Sequence, residues 1–360
     1  MNAFIIYNLI LLFVSFFSLI YCTAKNSGIK TLLFGMVLII ILIPSSLRFN
    51  IGTDVLTYRF IFNNLDYFKE KTEIGYYFLN FFVKTCGLSF QWVLVLSALM
   101  SYYFALKSFK KDYFFVYAVF FVLVMYLPSY SMIRQFLAIC IIMYGLSTLT
   151  DKSKWTYLVV VSGACLFHSS ALIMFFFIFI RKIKLTATLA FFIIIVFTIV
   201  IYYFNAVNML FESSFFQQSK YGVYALNEFG RKTELGTGIG IFLRLLVPVY
   251  VIINAKKIYN NESCSPQIVI LSLIYICTLL LSANVYIFNR LVDLFMYIPI
   301  LGVVEILRIS KAGYSKVITG GLCFIIYLLL FELTISNSAV GASGGLGINP
   351  YLNVFDRGAF

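Results

Sequence analysis

Residues 154–184 read KWTYLVVVSGACLFHSSALIMFFFIFIRKIK. Between Lys154 and Arg181 lie the 26 uncharged residues 155–180, with His168 near their middle. Crossing a bilayer core of about 30 Å as a helix takes about 20 apolar residues. The run is therefore long for one straight crossing and short for two. Lys and Arg collect in cytoplasmic loops, and basic clusters flank the run on both sides, DKSK at 151–154 and RKIK at 181–184. Both clusters fall on one side of a membrane only if the chain goes out and comes back. The run thus predicts a short helical hairpin, 155–168 and 169–181, with His168 at its outer turn. The alternative is one long, tilted or broken helix, which breaks the charge pattern at one end.

The rest of the chain supports a membrane setting. Of 360 residues, 62% are hydrophobic and 11% are charged, and the mean hydropathy is +0.97. Soluble domains carry about 25% charged residues. The first apolar run, 3–24, lacks a basic leader and a small-x-small cleavage site, so it reads as a retained helix. The expected architecture is an all-α polytopic membrane protein with about twelve segments: 3–22, 31–48, 91–108, 113–131, 135–150, 155–168, 169–181, 185–204, 238–255, 266–285, 291–307 and 317–336. With Lys25 and Lys30 in the cytoplasm, alternation puts both termini outside. It also places Lys107, Lys110, Lys111, Lys152, Lys256, Lys257, Arg308, Lys311 and Lys316 inside. The net charge of +13 is then largely topology, with no call for a nucleic-acid partner. One transmembrane domain, 1–336, would carry external segments 49–90 and 205–237 and end in a Gly/Ser-rich external tail, 337–360, ordered near NPYLNVF. The Phe and Tyr density of the two external segments predicts packed or interfacial helices.

Twelve basic residues remain on the external side: Arg48, Arg59, Lys69, Lys71, Lys84, Arg134, Lys220, Arg231, Lys232, Arg244, Arg290 and Arg357. Arg48, Arg134, Arg244 and Arg290 sit at or just inside helix ends, and all four are Arg while the cytoplasmic loops are mostly Lys. Any one alone reads as a snorkelling side chain. Together they suggest an anion site at headgroup depth, because the guanidinium fork grips phosphate in a bidentate way. A lipid diphosphate fits that description. His168, the single histidine, is either a satisfied structural residue or a proton acceptor for a hydroxyl. Asp54 follows the Gly52-Thr53 turn and either caps the next helix or serves as a functional carboxylate. Asp293 pairs with Arg290 one helical turn away or joins the site. Glu73 and Tyr76 line a sugar site or sit at the interface, and the sequence favours neither. Arg59 reads as an ordinary surface charge.

Several chemistries lack their motifs. The chain has no Walker loop, no GxGxxG and no HExxH. It has no CxxC pair and no external DxD carboxylate pair, so no metal and no cofactor is expected. Its seven cysteines are scattered through apolar runs and suggest neither disulfides nor metal ligands.

Six stretches carry a resemblance: LRFNIGTDVLTYRFIF (47–62), EIGYYFLNFFVKTCGLSF (73–90), SMIRQFLAICIIMYGLSTL (131–149), LFHSSALIMFFFIF (166–179), NVYIFNRLVDLFMYIPI (284–300) and INPYLNVF (348–355). In this order they resemble the EpsG-like family of bacterial exopolysaccharide and capsule polymerases, relatives of Wzy-type O-antigen polymerases. The Arg-x-x-x-Gly-Thr-Asp-x-x-x-Tyr, Arg-Gln-x-x-Ala and Phe-His-x-Ser-Ala elements are the most specific. Segment 205–237 and the tail glycines depart from the pattern, which leaves sugar specificity open.

The resemblance implies a GT-C-like glycosyltransferase bundle in the bacterial plasma membrane, active at the outer face without metal. It would pass a growing glycan from undecaprenyl diphosphate to a new lipid-linked repeat unit. Membrane lipid, a chain-length regulator and a flippase are the implied partners. Arg48, Arg134 and Arg290 would hold the diphosphate, and His168 would be the general base. Asp54 would orient a sugar, an Arg or the His, flanked by Tyr58, with Gln135 as a helper and Arg244 and Asp293 as additions. Two other classes compete: a lipid-linked oligosaccharide flippase, which predicts a central charged cavity and inverted repeats, and a membrane O-acyltransferase, which needs an acyl-donor group reached from the cytoplasm.

Overall fold

The computed structural model describes residues 2–150, 153–217, 238–311, 313–339 and 345–356. Lys152, Lys220, Arg231, Lys232 and Arg357 lie outside the described residues, as do 218–237 of the external segment and 340–344 and 357–360 of the tail. The described chain is helical, and its β pairings are isolated bridges, Arg48 with Asn353 and Ala339 with Asn349. It divides into two compact units, Met1–Ile178 with Phe324–Phe360, and Phe179–Cys323.

The first unit contains α1 (Ala3–Thr23), α2 (Ser27–Leu47), α3 (Val55–Asn63), α4 (Ile74–Thr85), α5 (Phe90–Ser108), α6 (Phe114–Phe121), α7 (Ile133–Thr148), α8 (Lys154–Cys165) and α9 (Ile173–Ile180), the last ending at the unit boundary. The second contains α10 (Ala187–Thr198), α11 (Ala206–Glu212), α12 (Ile239–Ile253), α13 (Gln267–Asn284), α14 (Asn289–Leu294) and α15 (Ile298–Ile309). The helix α16 (Tyr314–Ser336) starts in the second unit and ends in the first.

Every predicted segment is helical, but among the described residues only a minority are single unbroken helices of spanning length. Five helices, α1, α2, α5, α13 and α16, are long and apolar enough to cross a membrane. The bent pair Ala187–Tyr203 and Ala206–Glu212, at 55°, makes a sixth if it is one span. The expected span 113–131 is broken into α6, a π turn at Val122–Tyr126 and a 3-10 turn at Pro128–Tyr130. Proline removes a backbone donor there, and a π turn changes the helical pitch. The 12-residue α8 is about 18 Å long at 1.5 Å per residue.

The hairpin reading of 155–181 holds in its geometry. Tyr157 OH donates to Met174 O at 2.8 Å, across a separation of 17 residues. A continuous helix would set those residues about 25 Å apart, so the chain folds back between α8 and α9.

In the first unit, α1 packs on α2 and α6, α2 on α5, α5 on α7 and α7 on α8. The backbone of this bundle is completed by tyrosine hydroxyls. Pro44 lies inside α2, where its ring displaces a helical hydrogen bond. Tyr126 OH donates to Ile41 O at 2.9 Å, and Tyr351 OH donates to Pro44 O at 2.8 Å. These hydroxyls bond carbonyls at and near the proline, while the carbonyl that Pro44 itself deprives of a helical donor is that of Ile40. The tail, read as flexible apart from NPYLNVF, is docked over 345–356. Ile348 and Tyr351 are buried, Phe49 N–H donates to Leu352 O at 2.9 Å, and Gly52 N–H donates to Gly347 O at 3.1 Å.

The helices of 49–90 are amphipathic in an inverted sense. On α4, Tyr76, Asn80 and Val83 are fully buried, while Phe78, Phe81 and Phe82 are exposed. The spacing i, i+4, i+7 defines one helical face, and the exposed apolar face is the kind that lies on lipid.

Gly52 shows how tightly the loop before α3 is fitted. Its φ is +102°, and a Cβ there would lie 2.1 Å from Tyr130 O. Gly52→Ala should therefore cost about 1–3 kcal/mol. Gly35→Ala on α2, where nothing lies within 4 Å, should be neutral or stabilising by up to about 1 kcal/mol. Thermal unfolding of both variants in detergent checks the contrast.

Candidate functional site

The sequence N-terminal to α3 turns twice through left-handed backbone, at Asn50 (φ 53°) and Gly52 (φ 102°). This turn delivers Asp54 to the position before α3. The expected cap hydrogen bond is not made, so the Asp54 carboxylate is not spent on the helix end. Asp54 is exposed and lies within electrostatic reach of Tyr58, one turn along α3.

Tyr58 and Tyr76 pack edge to face, with ring centroids 5.6 Å apart. They rest on an apolar base of Val55, Ile61, Phe62, Val83, Phe90 and Ile133, with Phe167 against it. Arg134, at the start of α7, sits over both rings: its guanidinium carbon is 5.5 Å from the Tyr58 centroid and 5.6 Å from that of Tyr76. Glu73, just before α4, accepts a hydrogen bond from Arg134 Nη1 and completes an ion pair. An arginine held by two π faces and a carboxylate keeps its charge while partly dehydrated. Arg134 is still 24% exposed through its side chain, and its Nε has no hydrogen-bond partner among the described residues. Burial pushes the phenols of Tyr58 and Tyr76 above the ordinary tyrosine value, so both stay protonated at neutral pH.

Gly75 ties this group to the hairpin. Its N–H donates to Leu166 O at 2.7 Å, and a Cβ on it would lie 2.8 Å from that oxygen. Only glycine allows α4 to approach the turn so closely. Two residues beyond Leu166 is His168, half-buried. Its Nδ1 lies 2.7 Å from Ser170 Oγ and accepts the Ser170 backbone N–H at 3.2 Å.

The first unit thus gathers Asp54, Tyr58, Glu73, Tyr76, Arg134 and the His168 turn around one apolar base and the Gly75–Leu166 contact. Gln135 follows Arg134 and is buried. Arg48 is placed differently. It is 2% exposed, its guanidinium lies 4.6 Å from the Tyr130 ring, and Nη1 donates to Ser45 Oγ at 2.9 Å. It borders a water-sized cavity of about 10 Å³ with Ser97, Ser101, Tyr102 and Ser129. Arg59 lies over the rings of Phe49 and Phe90.

Arg244, Arg290 and Asp293 belong to the second unit. Arg290 and Asp293 share the short α14, and Arg244 on α12 is exposed. Arg244 and Asp293 both lie within electrostatic reach of the buried Tyr275 on α13. Among the described residues no three His, Cys, Asp or Glu converge as metal ligands.

Sequence reasoning did not single out Ser170, Gly75 or Tyr130. For Ser170 a signal existed in HSS: a residue heading a tight turn commonly accepts the N–H two residues on. For Gly75 and Tyr130 there was none, since both act through contacts distant in sequence.

A family model described as the EpsG family matches residues 31–353. That range covers every residue of the cluster around Arg134.

The chain belongs to the EpsG family.

No curated protein and no solved structure matches it. Membership joins this helical membrane protein to a polysaccharide-related family, and all six stretches quoted above fall largely or wholly inside the matched range.

The Arg134–Glu73 pair of this EpsG-family chain should show energetic coupling. A double-mutant cycle with Arg134→Gln and Glu73→Gln, read by thermal unfolding in detergent, is expected to give about 1–2 kcal/mol. Additive losses would mean that the two side chains do not act as a pair.

Proposed function

We propose that this protein is a polysaccharide polymerase. It moves a growing glycan from undecaprenyl diphosphate to the hydroxyl of a new lipid-linked repeat unit, at the outer face of the bacterial plasma membrane. In this reading the short helices pair to complete about twelve crossings of a GT-C-like bundle, with both termini outside.

One observation carries the reading. Arg134 is a partly exposed guanidinium set on two tyrosine rings and paired with Glu73 in an EpsG-family chain. Breaking the sugar–diphosphate bond leaves negative charge on the diphosphate. A preorganised cation that costs no reorganisation stabilises that charge best. The Glu73 carboxylate keeps Arg134 oriented until the anion arrives. Arg48, buried under the same loop, adds positive potential from beneath. Asp54 and the exposed edges of the cluster are placed for sugar hydroxyls, with His168 at the adjoining turn. Arg244, Arg290 and Asp293 carry no step in this reading.

Loss of the gene should leave single lipid-linked repeat units and no long chains. Arg134→Ala should do the same at normal protein level, with a loss of about 100-fold or more in chain extension. Gel analysis of lipid-linked glycans checks both. Unchanged chain length in Arg134→Ala would sink the diphosphate role, and repeat units trapped on the cytoplasmic side of the deletion strain would indicate a flippase.

A further inference from the structure

We propose that the small cavity beside Arg48 is a binding site for one halide ion, with chloride as its ordinary occupant. The ion is the counter-charge of a buried arginine that has no Asp or Glu within salt-bridge reach among the described residues. The binding does not depend on the reading under Proposed function.

Arg48 follows the last residue of α2 and is buried between the Tyr130 ring and Ser45. Arginine does not shed its proton in proteins, so burial leaves the charge in place. Its Nη1 donates to Ser45 Oγ at 2.9 Å and to Ser45 O at 3.3 Å. These partners are neutral. They satisfy one nitrogen and leave the charge unopposed, which is costly away from water.

The cavity of about 10 Å³ lies against this side chain. Its polar walls are Ser45, Ser97, Ser101, Tyr102 and Ser129, and the rest of its lining is apolar, with no carboxylate. Three of those hydroxyls are already spent. Ser101 Oγ donates to Ser97 O, Ser129 Oγ to Tyr126 O, and Tyr102 OH to Ser45 Oγ. Two buried polar atoms of the lining residues have no partner: Arg48 Nε and Ser97 Oγ. The first is at the end of α2 and the second is on α5, and these helices pack on each other.

A guanidinium N–H and a hydroxyl beside a space for one small species suit an anion. A single water fits the space but leaves the charge of Arg48 unopposed. Chloride is only slightly wider than water, accepts from both donors and cancels the charge. Oxyanions such as phosphate need more room than the cavity offers. Occupancy also sets how much of the positive potential of Arg48 reaches Asp54, Tyr58 and Arg134. That consequence alone rests on the reading under Proposed function.

Thermal unfolding of the full-length protein in detergent tests the site without any glycan substrate. Sodium chloride or bromide is titrated against sodium gluconate at constant ionic strength. The unfolding temperature should rise by about 3 °C or more along a curve that saturates, as binding to the folded state requires. No rise would mean that the cavity holds water, and a rise that never saturates would be a bulk salt effect; either overturns the proposal. Ser97→Ala removes one donor and leaves the cavity open, so the halide concentration at half-effect should increase about tenfold. An unchanged half-point would put the halide elsewhere and reject the site. Crystals of the wild-type protein grown in bromide give a reading that needs no variant. An anomalous peak between Arg48 and Ser97 is expected, and its absence would overturn the proposal.

Discussion

A guanidinium can sit inside a membrane bundle only where its neighbours replace the water it has given up. Removing an ion from water costs several kcal/mol even after relaxation. The first unit meets that cost in two ways. Arg48 is covered by Tyr130 and Ser45 and sealed under the docked tail. Arg134 is set on Tyr58 and Tyr76 with Glu73 beside it. The same requirement appears in the second unit, where half-buried Arg308 donates to buried Glu305 at 2.8 Å. Much of the irregular structure in the first unit serves these charges. The double left-handed turn, the close fit of Gly52 on Tyr130 and the return of residues 345–356 all lie around Arg48. Gly75 brings the α4 end that bears Glu73 against the His168 turn.

That arrangement divides the labour of the arginines. One is buried and rigid, and it orders the loop that presents Asp54 and Tyr58. The other is partly exposed and paired with Glu73. A cluster of cations, aromatic faces and carboxylates on a dry floor is suited to stabilising anionic leaving groups. The faces of α3 and α4 turned away from the cluster expose apolar side chains such as Leu56, Phe60, Phe78 and Phe82.

Hydropathy made the helical segments legible, because apolar runs and flanking Lys and Arg follow directly from the bilayer. It did not reveal where those segments break. A π turn at Val122–Tyr126 or a hydrogen bond from Tyr157 to Met174 leaves no mark on local composition. The charge count around 154–184 succeeded at the hairpin because two basic clusters constrained one run. Arg48 and Arg134 looked alike, each at a helix end, and only long-range partners such as Tyr130 and Glu73 separate them. The ordered patch near NPYLNVF was legible in the tail: Ile348 and Tyr351 are buried against α1 and α2 partners. The division into two units was not visible at all, since hydrophobic runs continue evenly across Ile178.

The central claim is that this one polypeptide builds glycan chains at a lipid diphosphate. The most direct measurement places purified protein in proteoliposomes with a lipid-diphosphate-linked repeat unit and resolves the products by size. The expected result is a ladder, each rung one repeat longer, with one lipid diphosphate released per bond formed. Repeat units that cross the bilayer without being joined would contradict it.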